Sequence, residues 1–127
     1  MLAQILIADD DPAFASLLQE YLEKKGHRVI VAYDGLEATL KAHEHKPHLI
    51  LLDIQMPGAY GSTVYRNLQE DKETVSIPVL FISAMLTQEM MARIPSGPQV
   101  RFLKKPFPLS RLDELVKELL PMGGYVP

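Results

Sequence analysis

The sequence contains no cysteine. Thiol catalysis, cysteine-ligated zinc sites and a disulfide framework are therefore excluded. A chain without disulfides suits a reducing compartment, so we expect a cytoplasmic protein. At 127 residues the chain is long enough to bury one stable hydrophobic core without covalent cross-links, but it is too short for two ordinary domains.

An excess of basic residues and a long hydrophobic run are also missing. Thirteen Lys and Arg against sixteen Asp and Glu give a formal charge of −3, which has the wrong sign for holding a polyphosphate by charge alone. Direct binding of nucleic acid is therefore not expected. No apolar stretch reaches the roughly 18 residues of a membrane span, and the N-terminus lacks the basic region of a signal peptide. We expect no membrane association.

Short apolar runs alternate with segments of helical periodicity along the whole chain. Runs rich in Val, Ile and Leu that are too short for a helix are typical of buried strands. Five such runs alternating with five helices predict an α/β fold, with one doubly wound parallel sheet covered on both faces. The strands are predicted at residues 5–8, 28–33, 49–52, 78–82 and 100–103, and the helices at residues 12–25, 35–45, 62–70, 87–93 and 111–120.

Individual residues predict some details of these helices. The apolar face of the first helix begins at Phe14, and Leu36 and Leu40 mark the weaker second helix. Ser110 is predicted to cap the last helix, because a serine side chain can accept a hydrogen bond from the first turn. Pro121 then closes that helix.

Polar side chains follow four of the predicted strands. Asp9 and Asp10 follow the first, Asp53 the third, Ser83 the fourth and Lys105 the fifth. The carboxyl ends of parallel strands share one edge of the sheet, so we expect these side chains to lie together. Three close carboxylates repel one another unless a cation lies among them, and oxygen ligands favour Mg²⁺. Lys105 and Ser83 could then bind the oxygens of a phosphoryl group on Asp53, whose carboxylate would be the nucleophile.

These residues resemble the receiver domains of two-component response regulators. The motifs that carry the resemblance are, in chain order, Asp9-Asp10, Asp53-Ile54-Gln55-Met56-Pro57 with Gly61, Ser83-Ala84 and Lys105-Pro106-Phe107. The match covers essentially the whole chain. It implies a flavodoxin-like (βα)5 fold with strand order 2-1-3-4-5, in which residues 1–121 form the receiver domain and residues 122–127 a C-terminal tail.

The resemblance also implies a role for each site position. Asp53 would accept a phosphoryl group from a histidine kinase or a histidine phosphotransfer protein, with Mg²⁺ as cofactor. Asp10 would ligate Mg²⁺ directly and Asp9 mainly through water, and Asp53 and the Gln55 backbone carbonyl would complete the protein ligands. Lys105 would pair with the phosphoryl group.

A conformational switch is the second implication of the resemblance. Ser83 would turn inward to bond a phosphoryl oxygen, Ala84 would leave it space, and Phe102, at the position of the family's switch aromatic, would swing inward. This motion would change the surface made by the fourth helix, fifth strand and fifth helix. A cis peptide bond between Lys105 and Pro106 is also implied.

Output would have to pass to a downstream protein or to an output domain in trans. The chain does not reproduce the acid-base set through which DNA-binding members of the family pair, so we expect a monomer.

Two other functions could use the same residues. A phosphatase of the haloacid-dehalogenase type also uses a strand-end Asp with Mg²⁺, but it needs a second Asp where Gln55 stands. A phosphorylation-independent interaction module of the same fold would lose the site, whereas here every position is filled. We therefore expect a phosphoacceptor signalling domain rather than an enzyme.

Overall fold

The computed structural model describes residues 2–56, 61–95 and 97–126, so the predicted turn residues Pro57 and Gly58 lie outside the described part. Strands and helices alternate along the chain, as the sequence predicts. The strands are β1 (Gln4–Ala8), β2 (Arg28–Ala32), β3 (Leu49–Asp53), β4 (Val79–Ser83) and β5 (Val100–Lys104). The helices are α1 (Pro12–Lys24), α2 (Gly35–His45), α3 (Gly61–Gln69), α4 (Gln88–Ala92) and α5 (Leu109–Leu119), followed by a 3-10 turn at Leu120–Gly123.

The five strands form one parallel sheet in the order β2-β1-β3-β4-β5, which confirms the predicted topology. The register aligns the carboxyl ends of the central strands. Ala8 at the end of β1 pairs with Leu52, one residue before Asp53. Asp53 pairs with Ile82, one residue before Ser83. The residues that follow these strands therefore meet at one edge, here called the acidic edge.

Apolar side chains fill a layer on each face of the sheet. One layer contains Phe81 and the inward residues of α2 and α3, and the other packs the sheet against α1 and α5. All five residues of β3 and of β4 are buried. Strands that are buried on both faces are apolar along most of their length, and β3 and β4 are polar only at their last residues, Asp53 and Ser83.

The ends of the first and last helices differ in how they are capped. Asp11 precedes α1, and its Oδ1 accepts hydrogen bonds from the backbone N–H groups of Ala13 and Phe14. The prediction that Ser110 caps α5 is wrong. Helical bonding begins earlier, since the N–H of Arg111 donates to the carbonyl of Pro108, and Ser110 lies inside the first turn.

Helix α2 turns its leucines outward. Its buried residues are Gly35, Ala38 and Ala42, whereas Leu36 is 69% exposed and Leu40 is 59% exposed. Small residues let the helix axis approach its neighbours closely, so the small side chains of this helix take the inner face. Among the helices of the described residues, none has both the length and the apolar composition needed to cross a membrane.

The C-terminal segment packs onto the domain beyond the predicted boundary at residue 121. The 3-10 turn runs to Gly123, and Tyr125 then packs its ring against His27 and His48, with ring centroids 6.4 Å and 5.8 Å apart. This contact lies at the amino end of the strands, because His48 directly precedes β3. The ring of Tyr125 therefore contacts the domain, whereas Val126 is 71% exposed, and the division at residue 121 stays a prediction.

Candidate functional site

Three carboxylates meet at the acidic edge, where β1 and β3 end side by side. Asp9 is 3% exposed and Asp53 is 8% exposed, while Asp10 is open to solvent. One oxygen from each of the three carboxylates lies within 4.8 Å of the other two. The sheet register brings these groups together, since β1 and β3 are adjacent and in register. The structure thus unites the three acidic residues that the sequence placed at strand ends.

Asp9 is held by contacts to both of its oxygens. Its Oδ1 accepts a hydrogen bond of 2.9 Å from the backbone N–H of Asp11. Its Oδ2 accepts a hydrogen bond of 2.8 Å from the ammonium group of Lys105. Two hydrogen-bond donors, one of them charged, hold this buried carboxylate in one orientation.

The carboxylate of Asp53 has fewer close hydrogen-bond donors than that of Asp9. Its Oδ1 accepts a hydrogen bond of 3.0 Å from the backbone N–H of Gln55, and its Oδ2 lies 3.9 Å from the Lys105 Nζ. Burial raises the pKa of Asp53 from 3.8 to about 6, and the charges of Asp9 and Asp10 also raise it. The Gln55 hydrogen bond and the Lys105 charge act in the opposite direction. Asp53 is therefore ionised at neutral pH, but in an environment that disfavours its charge.

Lys105 connects the acidic edge to an aromatic pair. It follows β5, and its peptide bond to Pro106 is cis. Its side chain is only 21% exposed, and its ammonium lies 3.9 Å from the centroid of the Phe14 ring. Phe107 meets Phe14 edge to face, with centroids 6.2 Å apart and an interplanar angle of 89°. Sequence reasoning placed Phe14 only on the apolar face of α1 and missed this contact, although the position of Phe14 in the turn after Asp11 was a usable signal.

Ser83 is at the edge, but its hydroxyl group is bonded within its own loop. The side chain is buried, and its Oγ accepts a hydrogen bond of 3.2 Å from the backbone N–H of Met85. Its carbonyl accepts a hydrogen bond of 2.9 Å from the backbone N–H of Lys105, which joins the two loops. The neighbouring Ala84 is exposed. A change at Ser83 can therefore reach Lys105 through the backbone as well as through the site.

Phe102 lies between the core and the surface of β5. It is half-buried, and its ring stacks on the fully buried ring of Phe81, with centroids 5.4 Å apart and an interplanar angle of 19°. Phe81 is itself in edge contact with Tyr65 on α3. The aromatic side chain at the predicted switch position is thus packed against a fully buried part of the core.

Gly61 allows the start of α3 to approach the end of β3. Its N–H donates a hydrogen bond of 2.7 Å to the carbonyl of Ile54. A Cβ atom at this position would lie 2.5 Å from the backbone oxygen of Asp53 and 2.8 Å from the Cα of Ile54. Only glycine fits such a close approach without moving the backbone that carries Asp53.

The donor set of the acidic edge fits a hard divalent cation. Three carboxylates and one ammonium leave a net formal charge of −2 when Asp53 is ionised. Mg²⁺ binds carboxylate oxygens and keeps further positions for water or phosphate oxygens. The carbonyl of Gln55 stays a predicted ligand, since the contact that the structure gives this residue is the N–H donated to Asp53.

Comparison with known proteins identifies the family. The family model described as the response regulator receiver domain matches residues 5–117. The polar-differentiation response regulator DivK of Brucella ovis is 33% identical over 120 residues, covering 94% of this chain and 98% of DivK. The DNA-binding dual master transcriptional regulator RpaA of Synechocystis is 36% identical over 98% of this chain, which spans only 52% of RpaA.

A solved structure agrees with the sequence comparison. The response regulator protein TrrA from Thermotoga maritima, determined in complex with Mg²⁺-BeF, superposes with a TM-score of 0.79 at 27% identity. The match covers 93% of this chain and 99% of that structure. Since the family model spans most of the chain and DivK matches it almost from end to end, the chain belongs to the family of response regulator receiver domains.

Proposed function

We propose that Asp53 accepts a phosphoryl group from a histidine kinase or a histidine phosphotransfer protein, with Mg²⁺ as cofactor. The observation that carries this proposal is the position of Asp53 Oδ2, 3.9 Å from the Lys105 ammonium within a cluster of three carboxylates. Oδ1 is engaged by the Gln55 N–H, so Oδ2 is the oxygen that attacks. When bound, Mg²⁺ would neutralise charge on the phosphoryl oxygens, and Asp9, Asp10 and Asp53 would hold it.

The transfer forms one bond and breaks one. Asp53 Oδ2 donates an electron pair to phosphorus, and the phosphorus–nitrogen bond of the phosphohistidine breaks with its electron pair going to the imidazole nitrogen. That nitrogen takes up one proton, and Asp53 becomes an acyl phosphate. Lys105 pairs with the new phosphoryl group because its ammonium already lies beside Oδ2. Water later attacks phosphorus, releasing inorganic phosphate and restoring the carboxylate, so the domain is a phosphoacceptor that resets slowly rather than a turnover enzyme.

Related proteins support this role. TrrA was determined with Mg²⁺-BeF, a pair that can stand for a metal and a phosphoryl group, and it is 27% identical to this chain. Receiver domains are signalling domains, and the described chain has the strand-end residues that phosphoryl transfer needs. The donor that we propose is a partner with an accessible phosphohistidine, which docks in the cytoplasm on a monomeric receiver.

Output is proposed to pass through the face formed by α4, β5 and α5. The Ser83 hydroxyl leaves its bond with Met85 to bind a phosphoryl oxygen, Ala84 leaves it space, and the backbone bond from Lys105 to Ser83 couples the two loops. Phe102 then moves deeper against Phe81 and reshapes the face to which a downstream protein or an output domain in trans binds.

Substituting Phe102 with leucine should leave phosphorylation of Asp53 intact. The NMR chemical-shift changes of α4 and α5 that follow phosphorylation should become smaller.

Acetyl phosphate with Mg²⁺ tests the proposal, with intact-mass spectrometry as the readout. The wild type should gain one phosphoryl group, and the gain should disappear with EDTA or in Asp53→Asn. Asp34→Asn is the matched control, because Asp34 caps α2 and is not one of the three clustered carboxylates, and asparagine caps equally well. This control should be phosphorylated like the wild type. A folded wild type that binds Mg²⁺ but gains no phosphoryl group would instead support the phosphorylation-independent interaction module.

A further inference from the structure

We propose that Phe14 is a positioning residue, whose ring holds the Lys105 ammonium at the acidic edge and so sets the rate at which Asp53 is phosphorylated. This inference rests on the proposed function of Asp53. The Lys105 Nζ lies 3.9 Å from the Phe14 ring centroid, 2.8 Å from Asp9 Oδ2 and 3.9 Å from Asp53 Oδ2. An ammonium within about 6 Å of a ring face is attracted by the ring quadrupole, and more strongly where solvent is partly excluded.

The aromatic contact differs in kind from the two carboxylate contacts. Asp9 is one of the carboxylates that fit a divalent cation, and Asp53 is the proposed phosphoryl acceptor. A metal ion or a phosphoryl group therefore competes for the groups that hold Lys105. Neither competes for the face of Phe14. The ring keeps the ammonium in place when the charge on the carboxylates is compensated, which is the state in which phosphoryl transfer occurs.

The fold fixes the ring in the place that this role requires. Phe14 lies in the first turn of α1, where its N–H donates to the capping Asp11 side chain. The same turn follows closely on Asp9 and Asp10, so the ring and the carboxylates share one short segment whose N–H groups bond to Asp9 and Asp11. On the other side, the ring of Phe107 packs edge to face on Phe14. Lys105 and Phe107 leave β5 in the same loop, which brings the cation and the second ring to Phe14 together.

Substitutions at position 14 separate the aromatic face from simple packing. Phe14→Leu and Phe14→Met keep an apolar side chain of similar size, whereas Phe14→Tyr keeps the ring. We expect the rate of phosphorylation by acetyl phosphate to fall by about three- to tenfold in the Leu and Met variants and to stay near the wild-type value in the Tyr variant. A purely structural role predicts the reverse order, since Leu and Met fit an apolar site at least as well as Tyr. Equal rates in all four proteins would overturn the proposal.

A measurement without metal or phosphoryl donor tests the contact itself. In the NMR spectrum of the metal-free wild type, the ε-methylene protons of Lys105 should be shifted upfield by the ring current of Phe14. The shift should persist in Phe14→Tyr and vanish in Phe14→Leu. An unshifted Lys105 in the wild type would overturn the proposal even if phosphorylation proceeds. If the Lys105 protons are shifted but the wild type is never phosphorylated, the proposed role of Asp53 is wrong. The proposed effect of Phe14 on the phosphorylation rate is then wrong as well.

Discussion

Replacing Asp53 with asparagine removes a charge that the folded protein holds where solvation is poor, and we expect this change to stabilise the metal-free chain. Burial raises the pKa of Asp53 from 3.8 to about 6. The folded state therefore binds the proton more tightly than the unfolded state. The stability that this proton contributes is complete below pH 3.8 and is lost as the pH rises through about 6.

The pKa shift gives the size of the effect. At pH 8 the ionised carboxylate lowers the free energy of unfolding by up to about 3 kcal/mol relative to a neutral side chain, because each pKa unit corresponds to about 1.4 kcal/mol. At pH 5 the same linkage gives about half that value. Asparagine has nearly the shape of aspartate and can still accept the Gln55 hydrogen bond, so the substitution changes the charge and little else.

Urea denaturation in EDTA measures the free energy of unfolding of the wild type and of Asp53→Asn at pH 5 and at pH 8. Asp53→Asn should be more stable than the wild type at both pH values, with the larger gain at pH 8. Asp10→Asn is the control, because Asp10 is exposed and its charge is the weakest of those that act on Asp53. The stability that Asp10→Asn gains should be smaller than the stability that Asp53→Asn gains. Adding Mg²⁺ should stabilise the wild type more than Asp53→Asn, since a ligand that binds the folded state raises its stability. A gain that is absent, or equal at the two pH values, would refute the assignment of the raised pKa to Asp53.

Substitutions at three further positions test the backbone around the site and near the C-terminus. Gly123→Ala should lower the free energy of unfolding by about 1–3 kcal/mol in urea, because its Cβ would overlap the carbonyl oxygen of His48; a neutral result would show that the 3-10 turn is not docked there. Gly61→Ala should reduce Mg²⁺-dependent phosphorylation as well as stability, since its Cβ would meet the Asp53 carbonyl at 2.5 Å, and full activity would exclude that close approach. Asp11→Ala should lose about 1 kcal/mol of stability and Asp11→Asn almost none, by the same denaturation assay. Equal losses in the two Asp11 variants would show that capping is not the role of this side chain.

The sequence was sufficient to predict the sheet, because its three central strands are almost wholly buried. Buried strands are mainly apolar runs, and the predicted runs agree with β1 to β5 to within one residue at every end. Residues that follow parallel strands must share one edge, so the sequence alone groups Asp9, Asp10, Asp53 and Lys105. The strand order itself came from the resemblance to receiver domains rather than from periodicity.

Details that depend on competition between neighbouring groups could not be predicted. The spacing of Leu36 and Leu40 indicates a helix but not which face is buried, and the small residues of α2 took the inner face. Ser110 is a good capping residue, yet the helix begins at Leu109, ahead of it. The position of Phe14 just after Asp11 places its ring near the acidic edge, but its contact with Lys105 also depends on the path of the loop after β5, which the sequence pattern does not give.

The docking of Tyr125 beside His48 has a practical consequence for how this protein can be handled. The backbone of Gln4 also bonds to His48, so both described ends of the chain emerge at the amino edge of the sheet. A five-residue strand separates that edge from the carboxylates by about 16 Å. A fluorophore, a surface tether or a fused protein on either end would therefore leave the acidic edge open to a phosphoryl donor.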